Sequence, residues 1–263
     1  MSDWREFELE WTNYLNANYG TLASFKRIGD ADSTIPDIKV ITGKREFYIE
    51  VKKCPAQCGQ FVLFSDDKNK SFTYSNQNST PFNKHTETII EYMNLRYDDF
   101  SKAGTSGVDI VFDNSSQVFA DWIIETYKKK GVELFATNDH ILFPVEDVAK
   151  YFVITAKYRI KRSGSRKVGS TNIKEVEDCI AKTYDILSFR KTDEGKLFCK
   201  TSLSVDKKKF FVGNDEYMFS KRNNEYEIRR LSGTNNKNVI FSIVLKENAP
   251  SGMSDQEIKN YLK

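Results

Sequence analysis

Ile35-Pro36-Asp37-Ile38-Lys39-Val40-Ile41-Thr42-Gly43-Lys44-Arg45-Glu46-Phe47-Tyr48-Ile49-Glu50-Val51-Lys52 is the stretch on which the reading of this chain turns. Two apolar, β-branched runs flank Thr42-Gly43-Lys44-Arg45, and glycine at the first central position suits a two-residue type II′ turn, so the segment reads as a tight antiparallel hairpin. The register follows by counting. With Gly43 and Lys44 as the loop, Thr42 faces Arg45, Ile41 faces Glu46, and Asp37 falls opposite Glu50, where facing Cβ atoms lie about 5 Å apart. Alternation along the strand puts Phe47, Ile49 and Val51 on one face and Tyr48, Glu50 and Lys52 on the other, beside Asp37.

Two facing carboxylates repel unless something cationic stands between them, and hard oxygen donors of this kind suit Mg²⁺, which commonly takes one or two carboxylates together with phosphate oxygens. A nearby ammonium such as that of Lys52 orients a water or stabilises developing charge. That combination is the chemistry of phosphodiester hydrolysis. Pro36-Asp37, twelve intervening residues and Glu50-Val51-Lys52 resemble the pattern of the PD-(D/E)xK nuclease superfamily. An ordinary solvated hairpin can carry the same letters, so the rest of the chain has to agree.

The chain has 263 residues, enough for one large domain or two to three small ones. Its formal charge is +3, from 40 Lys+Arg against 37 Asp+Glu, so the total makes no case for nucleic acid and the distribution must decide. Cys54, Cys58, Cys179 and Cys199 form no CxxC pair and have only His85 and His140 as companions, which argues against structural zinc and for reduced thiols. No apolar run is long enough to span a bilayer and Met1-Ser2-Asp3-Trp4-Arg5 lacks a signal-peptide core, so a cytoplasmic protein with no membrane partner is expected.

Before the hairpin, residues 3–19 read as a helix with Trp4, Trp11 and Leu15 on one stripe, widened by Phe7 and Tyr14. Glu8 lies on that stripe, four residues from Trp4 and three from Trp11, either aimed into the protein or turned to water at the helix rim. A carboxylate so aimed costs free energy unless it is paired or near a metal. The superfamily commonly carries an acid on its first helix, and the resemblance implies that role for Glu8. A short strand over 20–28 and a turn-rich loop follow, in which Asp30 and Asp32 read as loop formers.

After Lys52, Gln57 and Gln60 emerge near the site, where an amide serves a water, a phosphate, a base edge or its own loop backbone. Residues 61–64 read as a short strand, 66–81 as a surface loop, and 82–100 as a helix in which nothing pairs with His85. A strand over 107–112, a helix over 117–130 and a strand over 132–136 complete an αβββαβ order decorated by a 65–115 insertion. Asn138-Asp139-His140 reads as a turn. A single histidine there does not support a ββα-metal nuclease.

Residues 156–174 hold seven basic residues and no acid. A period-two strand over 151–160 runs into a Gly/Ser loop containing Lys161, Arg162, Ser163, Ser165, Arg166 and Lys167. Arg162 and Arg166 have the fork that matches guanine O6/N7, whereas Lys161 and Lys167 suit phosphates; a solvated basic loop is the plainer alternative. The blocks Phe47-Tyr48-Ile49-Glu50, Gln57-Cys58-Gly59-Gln60-Phe61-Val62-Leu63, Tyr158-Arg159-Ile160-Lys161, Ser163-Gly164-Ser165-Arg166 and Asn238-Val239-Ile240-Phe241-Ser242-Ile243 make the chain similar to type II restriction endonucleases. That resemblance implies a Mg²⁺-dependent enzyme acting as a monomer on double-stranded DNA at a short palindrome, GCGC. It also implies a cognate DNA methyltransferase as functional, not physical, partner.

From about Lys182 the chain is basic and β-rich, with strands expected at 196–203, 209–212, 216–220, 226–231 and 239–245. Lys207-Lys208-Lys209, Lys221-Arg222 and Arg229-Arg230 either hold DNA backbone or are solvated turns. The expected fold is therefore α/β (α+β): a PD-(D/E)xK core with a mixed β-sheet flanked by helices, followed by β-rich DNA-recognition and DNA-binding regions. The expected divisions are a catalytic region 1–150, a recognition region 151–185 and a supporting region 186–263. Asp37 and Glu50 are the expected metal ligands, with Lys52 positioning the attacking water. A structure-selective nuclease of the resolvase kind, or a non-catalytic DNA-binding protein on the same scaffold, are the alternatives.

Overall fold

The hairpin forms in the expected register, and a sheet grows outward from both of its strands. A computed structural model of the protein describes residues 4–29 and 35–263; Asp30 and Asp32 lie outside the described residues. The chain begins with α1 (Trp4–Tyr19), β1 (Ala23–Arg27), β2 (Ile38–Thr42), β3 (Glu46–Lys52), β4 (Ala56–Asp66) and β5 (Ser71–Tyr74). It continues with α2 (Lys84–Leu95), α3 (Tyr97–Ser101), β6 (Val108–Ile110), α4 (Ser115–Lys129), β7 (Val132–Thr137), β8 (Leu142–Pro144) and α5 (Val148–Tyr151). Next come β9 (Phe152–Arg162), β10 (Ser165–Lys167), α6 (Ile173–Thr183), β11 (Ile186–Lys191) and β12 (Leu197–Thr201). The last elements are β13 (Lys209–Val212), β14 (Asp215–Arg222), β15 (Glu225–Leu231), β16 (Asn235–Leu245) and α7 (Asp255–Leu262).

These strands make three sheets. The first runs β1-β2-β3-β7-β8, antiparallel except where β7 lies parallel to β3. Phe47, Ile49 and Val51 pack with Trp11 and Leu15 of α1 and Ile258 and Leu262 of α7. Because α1 is apolar along this stripe only, burying it fixes which face of β3 turns inward, and Glu50 and Lys52 go to the other. The tight turn is not type II′. Gly43 does not take a left-handed φ; instead Thr42 Oγ1 accepts from the N–H groups of Lys44 and Arg45 at 3.2 and 3.1 Å. The hydroxyl does locally what a left-handed glycine would have done.

The second sheet runs β5-β4-β16-β9-β6. Residues 65–115 are therefore not simply an insertion decorating the first sheet, because β5 and β6 are this sheet's two edges. Its inner face carries Phe61, Phe241, Ile243 and Tyr158, which pack with Phe119, Trp122 and Ile123 of α4. The helix expected over 82–100 is broken at Arg96 into α2 and α3. His85 is not alone: its Nε2 stands 3.8 Å from Glu125.

The third sheet runs β11-β12-β15-β14-β13, with β10 also pairing β15, and it encloses a separate core of Ile173, Val176, Ile180, Cys199, Tyr217 and Phe219. Accordingly the chain forms two compact units, Met1–Arg159 with Lys237–Lys263, and Ile160–Asn236. These boundaries fall elsewhere than the expected divisions at 150 and 185. Most of β9 belongs to the first unit, and β16 and α7 bring the chain's end back to that unit. Among the described residues no helix is long and apolar enough to cross a membrane.

Trp122 joins the two sides of the second sheet's core: its ring stacks on Phe241 at 4.2 Å and its Nε1 donates to Thr86 Oγ1 at 3.0 Å. Trp122→Ala leaves a large cavity and an unmade hydrogen bond, so urea unfolding of this variant is expected to show a loss of about 3–5 kcal/mol.

Candidate active site

Ile38 pairs with Ile49 and Ile41 with Glu46, so one further step along β2–β3 brings Asp37 opposite Glu50. Asp37 is held from several directions. Its Oδ2 accepts the Val51 N–H at 2.8 Å, and its backbone carbonyl accepts from Ile28 and Gly29 at 2.9 and 3.0 Å. A Cβ on Gly29 would stand 2.8 Å from both Cα and Oδ1 of Asp37, so only glycine lets the chain pass this close. Glu50 is buried and forms an ion pair with Lys52 Nζ.

The far end of β3 is fastened to β7. Thr137 Oγ1 donates to the Lys52 carbonyl at 2.6 Å, and Trp11 Nε1 donates to the Thr137 carbonyl at 3.2 Å. The Asn138 amide accepts from the Cys54 N–H at 2.9 Å and donates to the Cys54 carbonyl at 3.1 Å. Helix α1, strand β7 and the chain leaving Lys52 thus hold the carboxylate pair on rigid elements, the setting in which side-chain geometry is reproduced best.

The electrostatics follow from crowding. Burial, then the charge of Glu50, push the Asp37 carboxyl up from 3.8 to about 7, against the opposing pull of Lys52 and the Val51 N–H; Glu8 pushes in the same direction as Glu50. Burial works against the charge on Lys52, but Glu50 and Asp37 more than compensate and hold its ammonium above the ordinary lysine value. Glu8 is buried on α1, and its Oε2 accepts from Arg27 Nε at 2.9 Å. The third carboxylate is therefore near the pair and already has a partner of its own.

Three neighbours escape a reading of the sequence. The ring of Tyr127 lies under two ammonium groups, Lys52 at 5.8 Å and Lys130 at 5.0 Å. Burial lowers the Lys130 pKa, while Glu50 pulls the other way. The Cys58 thiol, fully buried, is pushed up to about 12, first by burial. Tyr127 reads as an ordinary apolar position of α4 and Lys130 as the basic end of that helix. What places them here is the parallel pairing of β7 with β3, which no local pattern announces.

Comparison with solved structures finds HhaI endonuclease in complex with DNA, 33% identical, with a TM-score of 0.83, over 99% of this chain and 98% of that one. The chain belongs to the HhaI endonuclease family. No protein-family model matches the chain, and no curated protein matches it.

Within this HhaI-family chain the expected DNA-contact residues are not all at liberty. Arg162 is ion-paired with Glu216. Ser163 bonds Asn236 at 2.8 Å, and Ser165 Oγ accepts from Arg229 at 2.7 Å. Lys167 Nζ donates to the Glu194 carbonyl at 2.7 Å. The stretch is thus a strand end, a turn at left-handed Gly164 and a strand stitched to β15, rather than a loose loop. Lys161 lies on β9 and Arg166 is exposed. Gln57 and Gln60 are exposed on β4, their amides bonded to one another at 3.1 Å.

Among the described residues no three His, Cys, Asp or Glu side chains converge as a ready metal cage. Two carboxylates meet instead, one of them driven towards its neutral form, and this pair fits a hard divalent cation that completes its shell with water and phosphate oxygens.

A carboxyl whose folded pKa lies above its unfolded value withdraws stability as pH rises between the two. In EDTA, Asp37→Asn should therefore melt at a higher temperature than the parent above pH 7, and the two should converge as pH falls towards 3.8. Melting curves across pH check this, and a difference independent of pH would contradict it.

Proposed function

We propose that this chain is a type II restriction endonuclease that hydrolyses phosphodiester bonds in double-stranded DNA at a short palindrome, GCGC, with Mg²⁺, acting as a monomer on one strand at a time. The observation that carries this reading is the facing Asp37–Glu50 pair, Glu50 buried and Asp37 half-buried, with Lys52 beside it, in a chain of the HhaI endonuclease family. On this reading the first sheet with α1 and α4 is a PD-(D/E)xK core. A companion methyltransferase would protect the host's own sites.

Asp37 and Glu50 would hold the metal, which when bound supplies Lewis acidity and charge neutralisation at the scissile phosphate. Without a metal, Glu50 and Asp37 hold the Lys52 pKa up. Its Nζ would orient the attacking water and stabilise negative charge on the phosphoryl oxygens. Glu8 would serve as an outer, third carboxylate, ion-paired with Arg27. Lys161, Arg162, Ser163, Ser165, Arg166 and Lys167 would meet DNA, with Arg166 best placed for a bidentate base contact because nothing else described engages it. Gln57 and Gln60 would trade their mutual hydrogen bond for base edges or phosphates.

Incubating the protein with unmethylated plasmid, in Mg²⁺ or in EDTA, and sequencing the fragment ends tests this directly. Discrete ends at one tetranucleotide are expected in Mg²⁺ only, with Lys52→Ala slower by about 10²–10³-fold. Intact plasmid in Mg²⁺ would overturn the catalytic reading.

A further inference from the structure

Arg159 is the anomaly of the second sheet. Tyr158 before it is buried in the core, so Arg159 projects from the opposite, outer face of β9. Its Nε is sealed from solvent without a hydrogen-bond partner. The residue as a whole is only half-buried, and its terminal nitrogens reach solvent. Most other described arginines are engaged by acids of the fold, among them Arg27, Arg45, Arg162, Arg190, Arg222, Arg229 and Arg230. A cation half-withdrawn from water with no internal acceptor costs free energy, which an acceptor arriving from outside would recover.

The stem of this side chain is also held. Gly107 adopts a left-handed φ of +78, and a Cβ there would stand 2.7 Å from Arg159 Cβ and 2.8 Å from Lys157 Cγ. The chain at Gly107 thus presses on the root of Arg159 and leaves the fork of terminal nitrogens as its free end. The same outer face carries the exposed amides of Gln57 and Gln60, and Ser242 opposite Gln57 in the β4–β16 register. A face that carries neutral amides and a hydroxyl as well as this guanidinium, with Lys157 already paired to Asp109, suits base edges better than a row of phosphates, which calls for clustered cations.

Resting on the reading of the chain as a sequence-specific DNA endonuclease, we infer that Arg159 is a specificity-determining residue that takes a guanine O6/N7 edge of the target end-on. This adds a strand-borne contact to those expected from residues 161–167.

The test is duplex binding by fluorescence anisotropy in EDTA, where no cleavage intervenes, with a duplex carrying GCGC and one lacking it. Arg159→Ala should bind the GCGC duplex about 10- to 100-fold more weakly while the other duplex changes little, and Arg159→Lys, which lacks the fork, should not restore binding. A GCGC duplex with 7-deazaguanine at the contacted position should weaken the parent but leave Arg159→Ala no weaker than on normal guanine. Equal losses on both duplexes with recovery in Arg159→Lys would mean a phosphate contact and overturn the inference, as would unchanged binding. A parent protein that discriminates, alongside an Arg159→Ala variant that discriminates equally, sinks only this inference. A parent that does not discriminate at all sinks the proposed function with it.

Discussion

Everything at the site depends on two carboxylates being forced to face one another by a hairpin whose register cannot slip. A shift of one residue in β2–β3 would turn Phe47, Ile49 and Val51 out of the core shared with Trp11 and Leu15 and bring Glu50 and Lys52 into it. The cost of exposing that apolar face is what maintains the Asp37–Glu50 juxtaposition against its own repulsion. The repulsion is only partly answered within the chain. Lys52 pairs with Glu50, and burial first, then the charge of Glu50, leave the Asp37 carboxyl raised to about 7. Folding supplies the geometry and leaves the charge for a ligand to complete.

The supports around the pair follow from the same need. Thr137, Trp11 and Asn138 tie the end of β3 to its parallel neighbour and to α1 through hydrogen bonds between backbone and side chain. None of these residues carries charge, so they stiffen the site without altering its electrostatics. Glu8 is different: it adds negative charge near Asp37, and it is itself paired with Arg27 at 2.9 Å. A buried carboxylate with a hydrogen-bonded guanidinium is tolerable where a bare one would not be.

What the sequence disclosed was what local periodicity encodes: the hairpin register, the stripe of α1 with Glu8 on it, and most strands of the last third. It misled where one physical solution substitutes for another, as when the Thr42 hydroxyl closes the turn in place of a left-handed Gly43. It was silent on pairings distant in the chain. Residues 65–115 read as an insertion because the strands that complete their sheet, β9 and β16, lie far downstream, and His85 read as solitary because Glu125 sits on another helix. Helix α6 carries Ile173, Val176 and Ile180 at helical spacing, but it follows directly on the basic run, whose charge masks its start. Strand β11 is mostly exposed and so lacks the alternation that would have marked it.

Charge shows the same limit most clearly. A near-balanced total of 40 cations and 37 anions conceals which cations are spoken for. In the second unit, Glu216 takes Arg162, Glu225 takes Arg190, Glu227 takes Arg222 and Arg229, and Asp215 takes Arg230. Each such pair removes a candidate from the list that basic clustering alone would draw up, since a guanidinium already bonded to a carboxylate must give up that bond before it reaches a phosphate or a base. The cations that remain available need not lie where clustering is densest. Arg159 stands on a regular strand with Gly107 packed against the root of its side chain, and a side chain rooted in regular structure loses less freedom on binding than one at the tip of a turn. Discrimination between bases depends on that rigidity, because a fork that can swing to a neighbouring acceptor does not penalise the wrong one.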